Sequence, residues 1–404
     1  MRMTRREYLA ATAALPLAAP VAASPLAGPL DRSGFDLAPG KVYLDSGTMH
    51  PVSRGGRAAV AAYLAARAEG HAHLDEDAVR AAFARLVGAD PDEIAFVQST
   101  TMGEQLVLKA LGLPQRGAHI VTDTLHFFGS FPLYEGLATQ GCEVTWLRPR
   151  DGRIAIEDMD RAIRPGTKLV ALSLVSTFNG FEHDLKAVCD IAHARGALVY
   201  ADIVHAAGCV PVDLHASGID FAACASYKWL MGDFGLGFLY ARKDRQERLQ
   251  RTQYGYYGIA DFTPHAYPLD APAAPDDIAD YSFQASAMGH FAYGTYSHMG
   301  VALLAQSLGD IGRIGVPAIQ AHAQPLVDRL KQQLPRMGYQ VATPPEAKTP
   351  FVTCIVKDAS TRLQPALDKA GVTITVSRNR FRVTPSVFNG MDDVEKLLAA
   401  LKSS

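Results

Sequence analysis

Six short runs between Arg57 and Arg242 constrain the fold more than any other feature: EIAFV, HIVTD, CEVTWL, KLVALSLV, ALVYAD and FAACAS are apolar along almost their whole length. A strand with one wet face alternates polar and apolar residues, whereas a strand covered on both faces does not. The segments between the runs are amphipathic. In DLKAVCDIAHARG, Leu185, Val188, Cys189 and Ala192 recur at helical spacing and Gly196 supplies the stop. Doubly covered strands separated by helices predict an α/β chain with a mostly parallel sheet. After a Pro/Ala/Asp-rich loop from Pro268 to Asp280 the pattern changes to one long helical region, then the shorter strands FVTCIV, VTITV and RFRVT, and a last helix from about Asp392. The expected division is a large domain over residues 57–295 and a smaller α+β domain over 296–404, with residues 25–56 contributing to the smaller one.

With 39 basic and 41 acidic residues among 404, the net charge is −2, which offers no basic surface for nucleic acid and no polybasic membrane patch. Binding is therefore expected in a pocket. The five cysteines are scattered singly and read as core thiols, without the paired spacing of a zinc site or a disulfide framework. The cluster His71, His73, Asp75 and Asp77 reads as a solvated segment leading into a helix, so no metal site is expected.

The first residues have a different character. Arg5 and Arg6 precede a short Ala/Leu run broken by Pro16 and Pro20, too short to anchor the chain stably in a bilayer, and small residues follow at Val21-Ala22-Ala23. Thr4-Arg5-Arg6-Glu7-Tyr8-Leu9 resembles a twin-arginine export signal, with residues 1–24 as the signal peptide. The resemblance implies passage through the twin-arginine machinery as a folded protein and a periplasmic location.

Ligands in open α/β sheets bind at the carboxyl ends of the strands, so the residues just past each apolar run carry the functional reading. Past EIAFV stand Ser99, Thr100 and Thr101 at a helix start, where hydroxyls and free N–H groups make an anion cradle. His126 follows HIVTD, and Asp202 ends ALVYAD with His205 three residues on. Past FAACAS comes Lys228, between Tyr227 and Trp229, where burial lowers an amine's pKa and makes it nucleophilic. A phosphate cradle, a flat ring, a carboxylate for a pyridinium nitrogen and a lysine for a Schiff base are the parts that hold pyridoxal 5′-phosphate.

Thr100-Thr101 before a helix, the histidine after the next strand, Asp202-x-x-His205-Ala-x-Gly208, and Ser226-x-Lys228-Trp229 followed by glycine-spaced residues resemble the class V aminotransferase-fold enzymes, from about Tyr43 to Leu401. The resemblance implies the type I fold of pyridoxal-phosphate-dependent transferases and amino-group chemistry on a small amino-bearing substrate. It assigns the Schiff base to Lys228, the pyridinium nitrogen to Asp202, the phenolic oxygen to His205 and ring stacking to His126. Thr100, Thr101 and Ser226 would take the phosphate, with Thr177 near the cofactor. Thr295, in YGTYSH, would reach the phosphate of a neighbouring subunit, which implies a homodimer, and Arg382 would grip a substrate carboxylate.

Three features depart from the cysteine desulfurases of this superfamily. GVTITVSRNRFRV, before and around Arg382, lacks the mobile cysteine that sulfur transfer needs, and Cys354 sits earlier, inside an apolar strand. Met102 replaces an acidic residue, and Thr177 stands where desulfurases carry Asn. His205 and the YKWL run are more similar to the isopenicillin N epimerase-like branch. Phe127, Phe128, Tyr254, Tyr256, Tyr257, Tyr293 and Tyr296 offer aromatic walls for a substrate. The expected reactions, in order, are amino-group removal or transfer, epimerisation or racemisation, and β- or γ-elimination; a catalytically silent cofactor-binding protein is the non-enzyme alternative.

Overall fold

The computed structural model describes residues 32–70, 72–265 and 278–402. The expected signal peptide lies outside the described residues. The chain enters through β1 (Val42–Tyr43), α1 (Arg54–Glu69) and α2 (Glu76–Leu86). Strands and helices then alternate through β2 (Ile94–Val97), α3 (Thr100–Ala110), β3 (His119–Asp123), α4 (Phe131–Thr139), β4 (Glu143–Leu147), α5 (Ile156–Ala162) and β5 (Thr167–Ser173). The alternation continues with α6 (Leu185–Ala194), β6 (Leu198–Asp202), α7 (Leu214–Ser217), β7 (Phe221–Ala225) and β8 (Gly237–Ala241). Next come α8 (Lys243–Gln246), a ribbon of β9 (Ile259–Pro264) and β10 (Ala279–Phe283), α9 (Ala287–Phe291), α10 (His298–Ile314) and α11 (Val316–Arg336). The last elements are β11 (Gln340–Val341), β12 (Val352–Ile355), α12 (Ala359–Ala370), β13 (Val372–Thr373), β14 (Thr375–Ser377), β15 (Arg380–Val383) and α13 (Met391–Lys402).

Strands β2 to β8 form one seven-stranded sheet in the order β2-β8-β7-β6-β5-β3-β4. Only β8 runs against its neighbours, β7 and β2. The other strands therefore bring their carboxyl ends to one edge, where the sequence places its polar residues. Every residue of β2, β3, β7 and β8 is buried, which explains why these runs lack alternation. β4, at the sheet margin, is half-exposed. Phe83 of α2 stacks on Phe238 of β8 with centroids 4.0 Å apart, and burying a ring of this kind stabilises the fold by about 1.5–3 kcal/mol.

The expected long helix is two helices, because Gly315 adopts a left-handed φ of 81° between α10 and α11. The large core also runs past residue 295: Val301, Leu304 and Leu308 of α10 pack into it. The smaller core takes Leu326, Leu330 and Leu334 from α11, with Phe381 from β15 and Leu397 from α13. Its sheet is antiparallel, β11-β12-β15-β14, and β1 pairs in parallel with β13, which binds the entering segment to this unit. The acidic cluster after His73 has a local role: Asp75 accepts the N–H of Ala78 and caps α2.

Two contacts set the approach of the layers around the strand ends. The Thr349 hydroxyl donates to the Gly180 carbonyl at 2.7 Å, fastening the segment before β12 to the turn after β5. Gly103 lets α3 lie against β7, since a Cβ there would meet the Ala223 Cβ at 2.8 Å. Gly103→Val should therefore push the start of α3 off the sheet and cost about 1–3 kcal/mol, the usual range for overpacking. A lowered urea midpoint with an unchanged slope checks this; an unshifted midpoint contradicts it.

Candidate active site

Ser99 starts α3 as its N-cap, its hydroxyl accepting the Met102 N–H at 3.1 Å while its carbonyl accepts from Gly103. The N–H groups of Thr100 and Thr101 are left without a partner among the described residues, facing the strand ends with the positive end of the helix dipole. Thr100 Oγ1 accepts the Ala225 N–H at 3.0 Å, which fastens the helix start to the end of β7 and keeps the hydroxyl proton free to donate. The Ser226 hydroxyl instead donates to the Asp233 carbonyl at 2.7 Å, so its proton serves the turn before β8.

Lys228 lies just beyond, 8% exposed, with Nζ 3.1 Å from His205 Nε2. Burial lowers its pKa from the usual 10.5 to about 8; the Asp202 carboxylate opposes this drop and Arg382 adds to it. Burial, reinforced by Lys228 and Arg382, pushes His205 well below the ordinary imidazole range, so it is neutral. Its Nδ1 is buried without a partner, and its ring meets the edge of Phe351 at 5.1 Å. Asp202 Oδ1 accepts the Val204 N–H at 2.9 Å, and its second oxygen takes no hydrogen bond among the described residues. Burial raises its pKa, against the pull of that N–H, His126 and Lys228.

His126 departs from expectation. Its ring is completely buried, with Nδ1 2.8 Å from Ser173 Oγ and Nε2 2.9 Å from Glu104 Oε1. Both edges are tied down and no face is open to stack on a ligand, because the side chain turns from the end of β3 into the layer beneath α3. The half-buried ring at this strand end is its neighbour Phe127, in contact with Phe128 at 4.7 Å. Glu104 also accepts from the hydroxyls of Ser130 and Tyr134, both at 2.6 Å. Burial works against charge on both members, yet their attraction outweighs it: His126 is raised above, and Glu104 held below, its usual range. An acidic residue inside the apolar run of α3, Met102-Gly103-Glu104-Gln105-Leu106-Val107, was the available sequence signal for this pair.

Arg382 reaches down from β15 over the strand ends. Its Nη1 donates to the Thr177 carbonyl at 3.0 Å and hydroxyl at 2.8 Å, and Nη2 to Thr48 at 2.8 Å and Thr375 at 3.1 Å. Asp45 Oδ1 lies 3.8 Å from Nη2, and Nε is buried without a partner. Thr177 therefore faces Arg382, and the terminal donors of the guanidinium are already engaged rather than open to a carboxylate. Thr48 and Asp45 lie too far along the chain from Arg382 for sequence spacing to have joined them, whereas Thr375 is its register partner on the neighbouring strand β14. Thr295, Tyr254 and Tyr256 are exposed, whereas Tyr257 and Tyr296 are buried.

The donor set fits pyridoxal 5′-phosphate: a buried amine, two free helix N–H groups with hydroxyls for a phosphate, an unbonded carboxylate oxygen, and an orphaned imidazole nitrogen. The comparisons agree. The aminotransferase class V family model matches residues 49–378, so the chain belongs to that family of pyridoxal 5′-phosphate-dependent enzymes. It is 26% identical over 312 residues to the uncharacterized aminotransferase YcbU of Bacillus subtilis, covering 77% of this chain and 79% of that one. It is 32% identical over 182 residues to the cysteine desulfurase IscS of Shewanella loihica, covering 44% of this chain and 45% of the relative. The fold matches a cysteine desulfurase from Thermococcus onnurineus NA1 with a TM-score of 0.79 at 23% identity, over 92% of this chain and 96% of the other.

The buried amine carries a stability signature in the protein freed of cofactor. Between pH about 8 and 10.5 the unfolded chain holds a proton on Lys228 that the folded chain has released, so stability rises with pH there and the penalty is full below it. Lys228→Met should stabilise the cofactor-free protein at neutral pH by about 2–4 kcal/mol, the gain shrinking through that window. Urea unfolding at stepped pH reads it; a variant no more stable than the parent at pH 7 contradicts it.

Proposed function

We propose that this enzyme removes or transfers the amino group of a small amino acid or amino-bearing peptide-like molecule. The observation that carries the reading is the buried amine of Lys228, 3.1 Å from a neutral His205 and attracted by Asp202, beside the open N–H groups of α3. Pyridoxal 5′-phosphate, when bound, supplies an aldehyde that condenses with amines and a ring that draws electrons from the amine-bearing carbon. Thr100, Thr101 and the α3 N-terminus hold the phosphate. Asp202 would keep the ring nitrogen protonated with its unbonded oxygen, and His205 would meet the phenolic oxygen. Phe127 takes the stacking place first given to His126. Lys228 would bind the cofactor's aldehyde and, when its amine is free, would move protons at the substrate carbon, for which a lowered pKa is suited.

The cysteines argue for amino-group chemistry over sulfur transfer through a protein persulfide. All five are buried, and burial pushes the Cys354 thiol, within β12, up to about 12. Arg382 stands over the pocket to meet the substrate's polar end, though a carboxylate there must displace hydroxyls of Thr177, Thr48 or Thr375. We further infer an isopenicillin N epimerase-like relationship from His205 and YKWL, a homodimer in which Thr295 reaches the partner's phosphate, and twin-arginine export to the periplasm from Arg5 and Arg6.

The test is incubation of the holoenzyme with a panel of amino acids and 2-oxo acids in deuterated buffer. The expected result is an amino group appearing on the oxo acid, with Lys228→Ala slower by at least about a hundredfold. Exchange of the α-hydrogen without net conversion would replace the reading by epimerisation, and release of a β- or γ-substituent by elimination. No turnover of any substrate by cofactor-loaded protein would leave a silent binding protein.

A further inference from the structure

Glu104, His126 and Ser173 form a buried chain that neither the phosphate cradle nor the substrate pocket uses. Glu104, on α3 just past the cradle, is fully enclosed and accepts from three side chains, His126 Nε2, Ser130 and Tyr134. A carboxylate with three donors stays ionised despite its burial. The opposite edge of the His126 ring meets Ser173 Oγ, which also accepts the Phe127 N–H at 3.2 Å. With both of its lone pairs used, Ser173 keeps a proton to donate. Ser173 on β5 is the register partner of Asp202 on β6, so their side chains stand next to each other on one face of the sheet.

We propose that Glu104 and His126 are an ionised pair that holds Asp202 as a carboxylate from beneath the cofactor, so that His126 is a positioning residue and not a stacking one. The proposal rests on the assignment of Asp202 to the cofactor's ring nitrogen. Asp202 needs such support because its burial favours the neutral acid, and a neutral acid cannot keep a pyridine nitrogen protonated. The charged and titratable groups around Asp202 and the pair are His126 and Asp123 from the end of β3, Glu104 from α3 and Tyr134 from α4. Lys228, Tyr227 and Cys224 face Asp202 from the end of β7, Tyr200 shares its strand, and His205 stands in the turn that follows. Of the two cations nearby, the Lys228 amine would be taken by the cofactor, which leaves His126 as the standing positive charge; Glu104 opposes its pull on Asp202, and the pull of His126 is the larger. A fully buried ion pair is costly to make, and here every oxygen and nitrogen of the pair is hydrogen-bonded, the condition under which such pairs persist.

Two readings on the holoenzyme test this, neither of them turnover. Nitrogen-15 NMR of histidine-labelled protein should show both His126 nitrogens protonated in the parent and a neutral ring in Glu104→Gln at the same pH. Protonation of Asp202 releases the ring nitrogen, so cofactor retention falls as pH falls, and loss of the nearby cation raises the pH at which it falls. Dialysis at stepped pH should therefore show the acid limit of retention moved up in Glu104→Gln, by less than the roughly one unit that a close opposite charge supplies at the low end, because the opposing charge of Glu104 is lost with that of His126. A neutral His126 in the parent overturns the proposal, and so does a variant whose retention profile is unmoved. If Glu104→Gln does not fold, Tyr134→Phe, which removes one donor from the carboxylate, should move the profile in the same direction by less, and no movement counts against the pair. Asp202→Asn separates the two levels: if it holds the cofactor with the parental profile, the Asp202 assignment itself is wrong and the proposal falls with it.

Discussion

Keeping one primary amine out of water is the constraint on which the rest of this structure depends. Lys228 emerges from β7, a strand buried on every residue, and among the described residues its ammonium has no direct carboxylate partner, while burial keeps it from bulk solvent. The surroundings compensate in two ways. Asp202 attracts it at a distance, and His205, held neutral by its own burial, offers a lone pair at 3.1 Å. The result is an amine that gives up its proton far more readily than a surface lysine, at the point where the phosphate-binding end of α3, the carboxyl end of β6 and the small-domain strand β15 converge.

The layers around that point are built to be incompressible. Gly103 brings α3 onto β7, and the Thr100 hydroxyl ties the helix start to the Ala225 N–H. Beneath, the Glu104–His126 pair fills the space between α3, β3 and α4 with bonded polar atoms rather than apolar ones. Above, Arg382 is held by hydroxyls from three separate segments, Thr48, Thr177 and Thr375, so the roof of the pocket is fixed to both units of the chain. Function here lives in charges that the fold has already positioned.

The fold was largely legible because burial on both faces leaves a mark in single runs of sequence: the six apolar runs are β2 to β7, and the residues just beyond them are the site. Lys228, Asp202, His205, Thr100 and Arg382 converge as their motif positions imply. What escaped has one cause. Side-chain direction at a strand end is settled by packing, so one position decided between His126, which turns inward to Glu104, and Phe127, which does not. Thr177 bonds Arg382 and Ser226 the Asp233 carbonyl, partners set by neighbours distant in sequence or across a turn. The break at Gly315 was written in the sequence, yet apolar periodicity continues across it and hides the interruption.

The central claim is that the buried amine of Lys228 is what holds the cofactor. Borohydride reduction of the purified holoenzyme followed by peptide mapping tests it directly, because reduction fixes the cofactor to whichever lysine carries it. The expected product is a pyridoxyl group on Lys228 alone, on the peptide that spans Tyr227 and Trp229. A label on any other lysine, or a bleached protein with no labelled lysine, contradicts it.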